Sequence, residues 1–465
     1  MTQQSIPRVL IAATQSGSGK TTIVSGLLAA LRAKGINVQA YKIGPDYIDP
    51  GYHRIASGKK GHNLDTWLMD KEKMAEIFFR TASQCDMAVV EGVMGLYDGG
   101  RGGISSTAEI SKLLKIPVLL VIDVKSMGDS AAAIALGFKN YDPEVRLAGV
   151  ILNRLGSDSH EMMIREAMEK AGIPVFGCMH RDDALSISER HLGLLPVEEN
   201  DDDIRQIGLI REAVEKSLFI DRIIELAENA EMIDLPEKEM SQTEKKVRIG
   251  VADDEAFTFY YPESLQVLES MGAELVRFSP MNDATLPDVD GLMIGGGFPE
   301  LFVDRLSEND SMKRDIREKA AAGLPVFAEC GGLMYLTEKI TDFDGKTFDM
   351  VGLIPAVCSM TKKLQTVGYV EAEALSENVL SEPGHVIRGH EFHFSTMDLA
   401  AGTDEDAFPW AFEFRKMRTG ACYRSGFSQG NVLASYLHLH FAGDPSLAEH
   451  FIGKCEKYKE NKSKN

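Results

Sequence analysis

Residues Thr14–Thr22 read TQSGSGKTT and lie between an apolar run, Val9–Ala13, and a helix-forming stretch that continues through Leu31. Strand, glycine-rich turn, Lys-Thr and helix in that order are the context a phosphate-binding loop requires. Gly17 and Gly19 let the backbone fold around phosphates, so Ser16, Gly17, Ser18, Gly19, Lys20, Thr21 and Thr22 are the expected nucleotide contacts. Lys20 would reach the β- and γ-phosphates, and the Thr21 hydroxyl would bind Mg²⁺. The start of the helix adds a partial positive charge. Thr14 stands where the strict pattern has its first glycine; a bare Gly/Ser turn is the bland alternative.

Carboxylates follow at positions that fit this chemistry. Glu91 ends the apolar run MAVVEG, and Asp46 and Asp49 lie in GPDYIDPGYH, just after the run NVQAYKI. Asp46 and Glu91, with Thr21, are expected to hold the magnesium ion. Asp49, with Tyr47 and Asp98 (in GLYDGG), is expected to face the substrate. The competing reading makes Asp46 and Asp49 plain turn-formers before Pro and Gly. Asn153 ends LAGVILN, where open α/β sheets bind ligands, and could read an adenine edge or cap the strand.

A second set of residues carries different chemistry. LPVFAECGGLMYL reads as strand, sharp turn and helix with Cys330 on the turn, and Ala328, Gly331 and Gly332 are small enough for a tight bend. That is a nucleophile elbow, with a helix start expected to favour the thiolate. ASYLHLHF offers His438 and His440 as bases; they fall on one side of an extended run, so spacing alone does not choose. Gly295, Gly296 and Gly297 in MIGGGFPE end another strand, where free N–H groups could bind an oxyanion.

Apolar runs alternating with helical stretches predict parallel sheets covered on both faces, an α/β class. The expected layout is a first domain over 1–197, a charged helical connector over 198–245, a second α/β domain over 246–445 and a polar, frayed tail over 446–465. The net charge of −20 argues against a nucleic-acid partner. No apolar run is long enough to span a bilayer. The opening MTQQSIPRVLIAAT lacks a secretory pattern, and the six scattered cysteines form no CxxC pair. A cytoplasmic enzyme is therefore expected.

Taken in order along the chain, SGSGKTT, YKIGPDYIDPGYH, LDTW, VEGVMGLYDG, ILNRLGS, DEAFTFYYPE, GGGFPEL, AECGGLMYL, GHEFHFS and ASYLHLHF resemble the cobyrinic acid a,c-diamide synthase family nearly end to end. The first half is also similar to dethiobiotin synthetase, the second to class I glutamine amidotransferase domains of the cobyric acid synthase type. The resemblance implies that Cys330 attacks the amide of L-glutamine. It places the base of a Tyr-x-His pattern at His438 and gives the oxyanion to Gly296 and Gly297. It implies that Mg²⁺ and ATP activate the a and c acetate carboxylates of cobyrinic acid as acyl phosphates, which ammonia displaces. Hydrogenobyrinic acid and nickel-sirohydrochlorin are the alternative tetrapyrroles. A partner-switching P-loop ATPase is the rival class, though it leaves Cys330 without a purpose. Oligomeric state is not legible in the sequence.

Overall fold

The computed structural model describes residues 2–185, 201–235 and 244–463. The chain divides into two bodies, Met1–Thr66 with Asp70–Lys238, and Trp67–Met69 with Glu239–Asn465.

In the first body seven parallel strands run in the order His62–Leu64, Val38–Ile43, Met87–Glu91, Arg8–Ala13, Val118–Asp123, Leu147–Leu155, Val175–His180. Arg8–Ala13, Val38–Ile43 and Met87–Glu91 are buried along their whole length, because helices cover both faces of the sheet. The chain moves outward from Arg8–Ala13 first to one side and later to the other. The turn after that strand is thus a topological switch point, where such sheets bind ligands.

The described part of the expected connector is built into this body. Helices Asp201–Ser217 and Ile220–Glu228 bury Ile207, Ile210, Val214, Ile223 and Ala227 in the same core as Val24 and Leu27. Their apolar stripes need partners: Asp201–Ser217 packs on helix Lys20–Ala33, and Ile220–Glu228 packs on strands Arg8–Ala13 and Val175–His180. Arg8, fully buried, donates to the carbonyls of Ile6, Leu114, Lys115 and Glu231 and ties the end of this segment to the body. Residues 198–200 and 236–243, which include most of the expected polar linker, lie outside the described residues.

The second body carries a nine-stranded sheet. Its parallel part runs Ala273–Phe278, Val247–Ala252, Gly291–Ile294, Val326–Glu329, Val432–Ser435, and it continues antiparallel through Cys422–Gln429, Trp410–Lys416, Thr366–Ala374 and Val386–His393. A four-stranded sheet lies beside it in sequence, formed by Thr337–Thr341, Thr347–Asp349, Ile354–Met360 and Ser395–Leu399. Two expectations are corrected here. The run ending in ASYLHLHF is a strand only over Val432–Ser435, so both histidines lie beyond its end. The supposed tail is the helix Pro445–Lys462, which buries Leu447, Ala448, Phe451, Ile452 and Cys455; one apolar stripe, hidden in a charged sequence, holds it down.

Candidate active site

The phosphate loop has the backbone its sequence calls for. Gly17 and Gly19 take φ of 76° and 89°, left-handed values that favour glycine, and helix Lys20–Ala33 begins directly after them. Lys20 is nearly buried and donates from Nζ to the Met94 carbonyl at 2.6 Å. Burial and the neighbouring Lys42 ammonium lower it to about 8. Ser18 Oγ donates to Gln15 O at 3.0 Å within the loop. Ser16 is exposed and Thr22 half-buried. Asn153 braces the loop: its Nδ2 donates to Ser18 O at 2.8 Å while its Oδ1 accepts from Arg154 N.

The carboxylates gather around a lysine that the motif reading passed over. Lys42 Nζ donates to Asp49, to Glu91 Oε1 at 2.9 Å and to Gly92 O at 3.3 Å, and lies 3.9 Å from Asp46 Oδ2. Thr21 Oγ1 donates to Glu91 Oε1 at 2.8 Å, and His53 Nε2 meets Glu91 Oε2 at 2.6 Å. Burial alone would push Glu91 up, but Lys42 and His53 outweigh it and hold the carboxyl well below its ordinary range. Burial likewise acts against the Lys42 ammonium, and Asp49 and Glu91 overcome it. Asp49 moves the other way: burial and the adjacent Asp46 push it well up.

The residues named for the metal fit magnesium in kind. Thr21, Asp46 and Glu91 offer hard oxygen donors, and Thr21 Oγ1 lies 2.8 Å from Glu91 Oε1. Asp46 also does what a turn-former does, since its Oδ1 accepts from Ile48 N at 2.7 Å and from Asp49 N at 3.3 Å. Asn63 Nδ2 donates to Gly44 O and Asp46 O and fixes this loop. Tyr47 is half-buried in it. Asp98 is exposed and accepts from Gly95 N at 3.1 Å.

Lys42 therefore yields a stability prediction. With Glu91 fully buried and Lys42 almost so, Lys42→Met leaves an uncompensated buried carboxylate. Breaking such a pair costs about 3–5 kcal/mol, and a melting temperature roughly 10 °C lower is expected by calorimetry. A fall of less than about 2 °C would mean that Lys42 is not what neutralises the cluster.

In the second body, Cys330 occupies φ 46°, ψ −100°, between strand Val326–Glu329 and helix Gly331–Leu336. A side-chain residue there is strained, and its backbone is held by Cys330 N donating to Ser435 O at 2.7 Å. The glycine loop lies against the elbow. A Cβ on Gly332 would stand 2.2 Å from Ile294 O, one on Gly331 3.0 Å from Gly297 N, and one on Gly296 2.8 Å from His438 Cε1. Gly297 N thus faces the elbow, and Gly296 lies against His438.

The two histidines separate cleanly. His438 forms an isolated antiparallel bridge with His390, whose ring lies 5.0 Å from its own. Burial, with His390 and His393, holds it well below the usual histidine range, so the ring is neutral. His440 instead stacks on Tyr261 at 4.8 Å, accepts from Ala442 N at Nδ1 and sits 4.0 Å from Glu263; burial lowers it to about 4. The thiol departs from expectation. Gly331 N–H at the helix start pulls its pKa down, but burial, aided by Glu300, pushes it up, so the resting group is a neutral thiol.

Several residues here carry no sequence motif of their own. Glu329 Oε1 accepts from Leu439 N at 3.1 Å and so fixes the segment between the histidines, while burial raises it to about 8. A carboxylate directly before the cysteine, or a lysine within the strand-forming run NVQAYKI, was the available signal.

Comparison with known proteins agrees with this division. Residues 9–195 match the CobQ/CobB/MinD/ParA nucleotide binding domain, and residues 248–446 match the CobB/CobQ-like glutamine amidotransferase domain. A cobyrinate a,c-diamide synthase of Dehalococcoides mccartyi is 47% identical, covering 96% of this chain and 97% of that one. One from Leptospira interrogans is 42% identical over 97% and 98%. A hydrogenobyrinate a,c-diamide synthase of Streptomyces coelicolor is 40% identical over 97% and 98%. With both domain matches in order and relatives matched nearly end to end, the chain belongs to the cobyrinate a,c-diamide synthase family.

Proposed function

We propose that this enzyme, a carbon–nitrogen ligase, converts the a and c acetate carboxylates of cobyrinic acid to amides, using ATP for activation and glutamine as the nitrogen source. What carries the reading is the pairing of a phosphate loop beside a buried carboxylate–lysine cluster with a cysteine elbow in one chain. A carboxylate is a poor acyl donor, which is why the first half must spend a nucleotide before nitrogen can enter.

In the glutaminase half, His438 takes the Cys330 proton as sulfur attacks the glutamine amide carbon. Gly296 and Gly297 N–H groups receive the developing oxyanion. The C–N bond breaks, ammonia leaves with the proton from His438, and water releases glutamate and restores the thiol. In the ATP half, the loop from Ser16 to Thr22 binds the phosphates, Lys20 neutralises the transferring group and Asn153 is our candidate for the adenine edge. Thr21, Glu91 and Asp46 would hold Mg²⁺, which supplies charge neutralisation at the phosphates. Lys42 holds Glu91 and Asp49 in place, and Asp49, Tyr47 and Asp98 position the tetrapyrrole carboxylate. The carboxylate oxygen takes the γ-phosphoryl group of ATP with ADP leaving, and ammonia then displaces phosphate from the acyl phosphate to give the amide.

Among the described residues no helix is long and apolar enough to cross a membrane. We place the enzyme in the cytoplasm, supported by six free cysteines. A second reading has a specific basis: the Streptomyces relative is named for hydrogenobyrinate, the cobalt-free macrocycle. Mass spectrometry of each tetrapyrrole after incubation with enzyme, Mg²⁺-ATP and glutamine decides between them. The expected product is ATP-dependent, carries two carboxylate-to-amide conversions and forms from cobyrinic acid in preference. Conversion of hydrogenobyrinic acid alone would transfer the substrate assignment, and conversion of neither would sink it.

A further inference from the structure

One buried carboxylate near the elbow has no counter-charge among the described residues. Glu300 lies in the short turn Pro299–Leu301 that follows the glycine loop and is 6% exposed. Among the described residues no cationic group acts on it: apart from burial, only its own backbone N–H does, and the carboxyl rises to about 7. Its surroundings are those of the elbow. Pro299 Cδ lies 2.9 Å from where a Gly331 Cβ would stand, and among charged groups Glu300 acts most strongly on the Cys330 thiol.

The other buried carboxyls of this region are engaged. Glu329 accepts from Leu439 N, and Glu263 faces His440. A carboxylate moved from water into such a place, with nothing to pair it, is unfavourable in the empty protein. It becomes favourable when a ligand brings a cation. An amide donor that presents its side chain to Cys330 and is also an α-amino acid carries an ammonium a few bonds from the reacting carbon.

We propose that Glu300 binds the α-ammonium of glutamine and thereby sets which amides the cysteine accepts. The inference rests on the glutaminase reading above and adds to it a specificity-determining residue. Primary amides without an α-ammonium are excluded because their binding would leave Glu300 buried and unpaired.

The test uses full-length enzyme with Mg²⁺-ATP and cobyrinic acid present, and compares glutamine with glutaramate, the same amide and carboxylate lacking the amino group. Wild-type enzyme should favour glutamine in kcat/KM by roughly 100-fold or more. In Glu300→Gln, an isosteric change, the ratio should fall to within about threefold, chiefly through a higher KM for glutamine. An unchanged ratio in a folded Glu300→Gln protein overturns the assignment. So does wild-type enzyme that uses both amides equally well, a measurement that needs no variant. Failure of wild type to hydrolyse glutamine at all would instead bring down the glutaminase reading on which the inference stands.

Discussion

Cys330→Ala is expected to abolish amidation driven by glutamine, a loss on the order of 10⁴-fold or more, while ammonia supplied at high pH still supports synthesis. The reason is local. Cys330 is the one residue between strand Val326–Glu329 and helix Gly331–Leu336 able to attack, and Gly297 N, against the elbow, has no nucleophile to serve without it. The ATP half draws nothing from that sulfur, and free ammonia, abundant once the pH favours NH₃ over NH₄⁺, bypasses it. Loss of both nitrogen sources would refute separate sites. Retention of glutamine use would remove Cys330 from the chemistry. A partner-switching ATPase makes no such split prediction, because it has no use for glutamine.

What the sequence displayed and what it concealed differ in a physical way. Motifs that act through backbone geometry were legible: the loop with Gly17 and Gly19, the bend at Cys330 and the triplet Gly295–Gly297 each need small residues at fixed spacing, and the structure folds them as their spacing demands. Side chains that act by burial were not. Lys42 and His53 sit on a strand and a helix of ordinary pattern, and only the fold brings both to Glu91. Glu300 belongs to no motif of its own, and its burial shows only in the fold. Helices Asp201–Ser217 and Pro445–Lys462 read as connector and tail because charged residues are dense in both. Their apolar stripes acquire meaning only against the cores they cover. The choice between His438 and His440 is similar. Both lie past Ser435, where the sheet's alternation no longer governs, so their partners rather than their spacing tell them apart.

Lys20→Ala should stop synthesis with either nitrogen source, by roughly 10³-fold or more, measured as amide formed at saturating ammonia and again at saturating glutamine. Lys20 is the loop's own ammonium, and its hydrogen-bond partner is a neutral acceptor, the Met94 carbonyl. That contact can be exchanged for phosphate oxygens at little cost. Burial and Lys42 bring Lys20 to about 8, so it is largely charged at neutral pH, and a bound polyphosphate would hold it so. Lys42 is close enough to lower Lys20, yet it cannot take its place. It is committed to Glu91 and Asp49, and moving it would leave Glu91, wholly buried, without its main counter-ion. The neutral variant Lys20→Met, which keeps the stem that fills this part of the loop, should be as inactive as Lys20→Ala, since charge and not packing is what the transferring phosphoryl group requires. Near-normal amination by either variant would mean that the loop binds something other than the nucleotide that activates the carboxylate. A loss confined to glutamine-driven synthesis would mean that Lys20 serves nitrogen delivery instead.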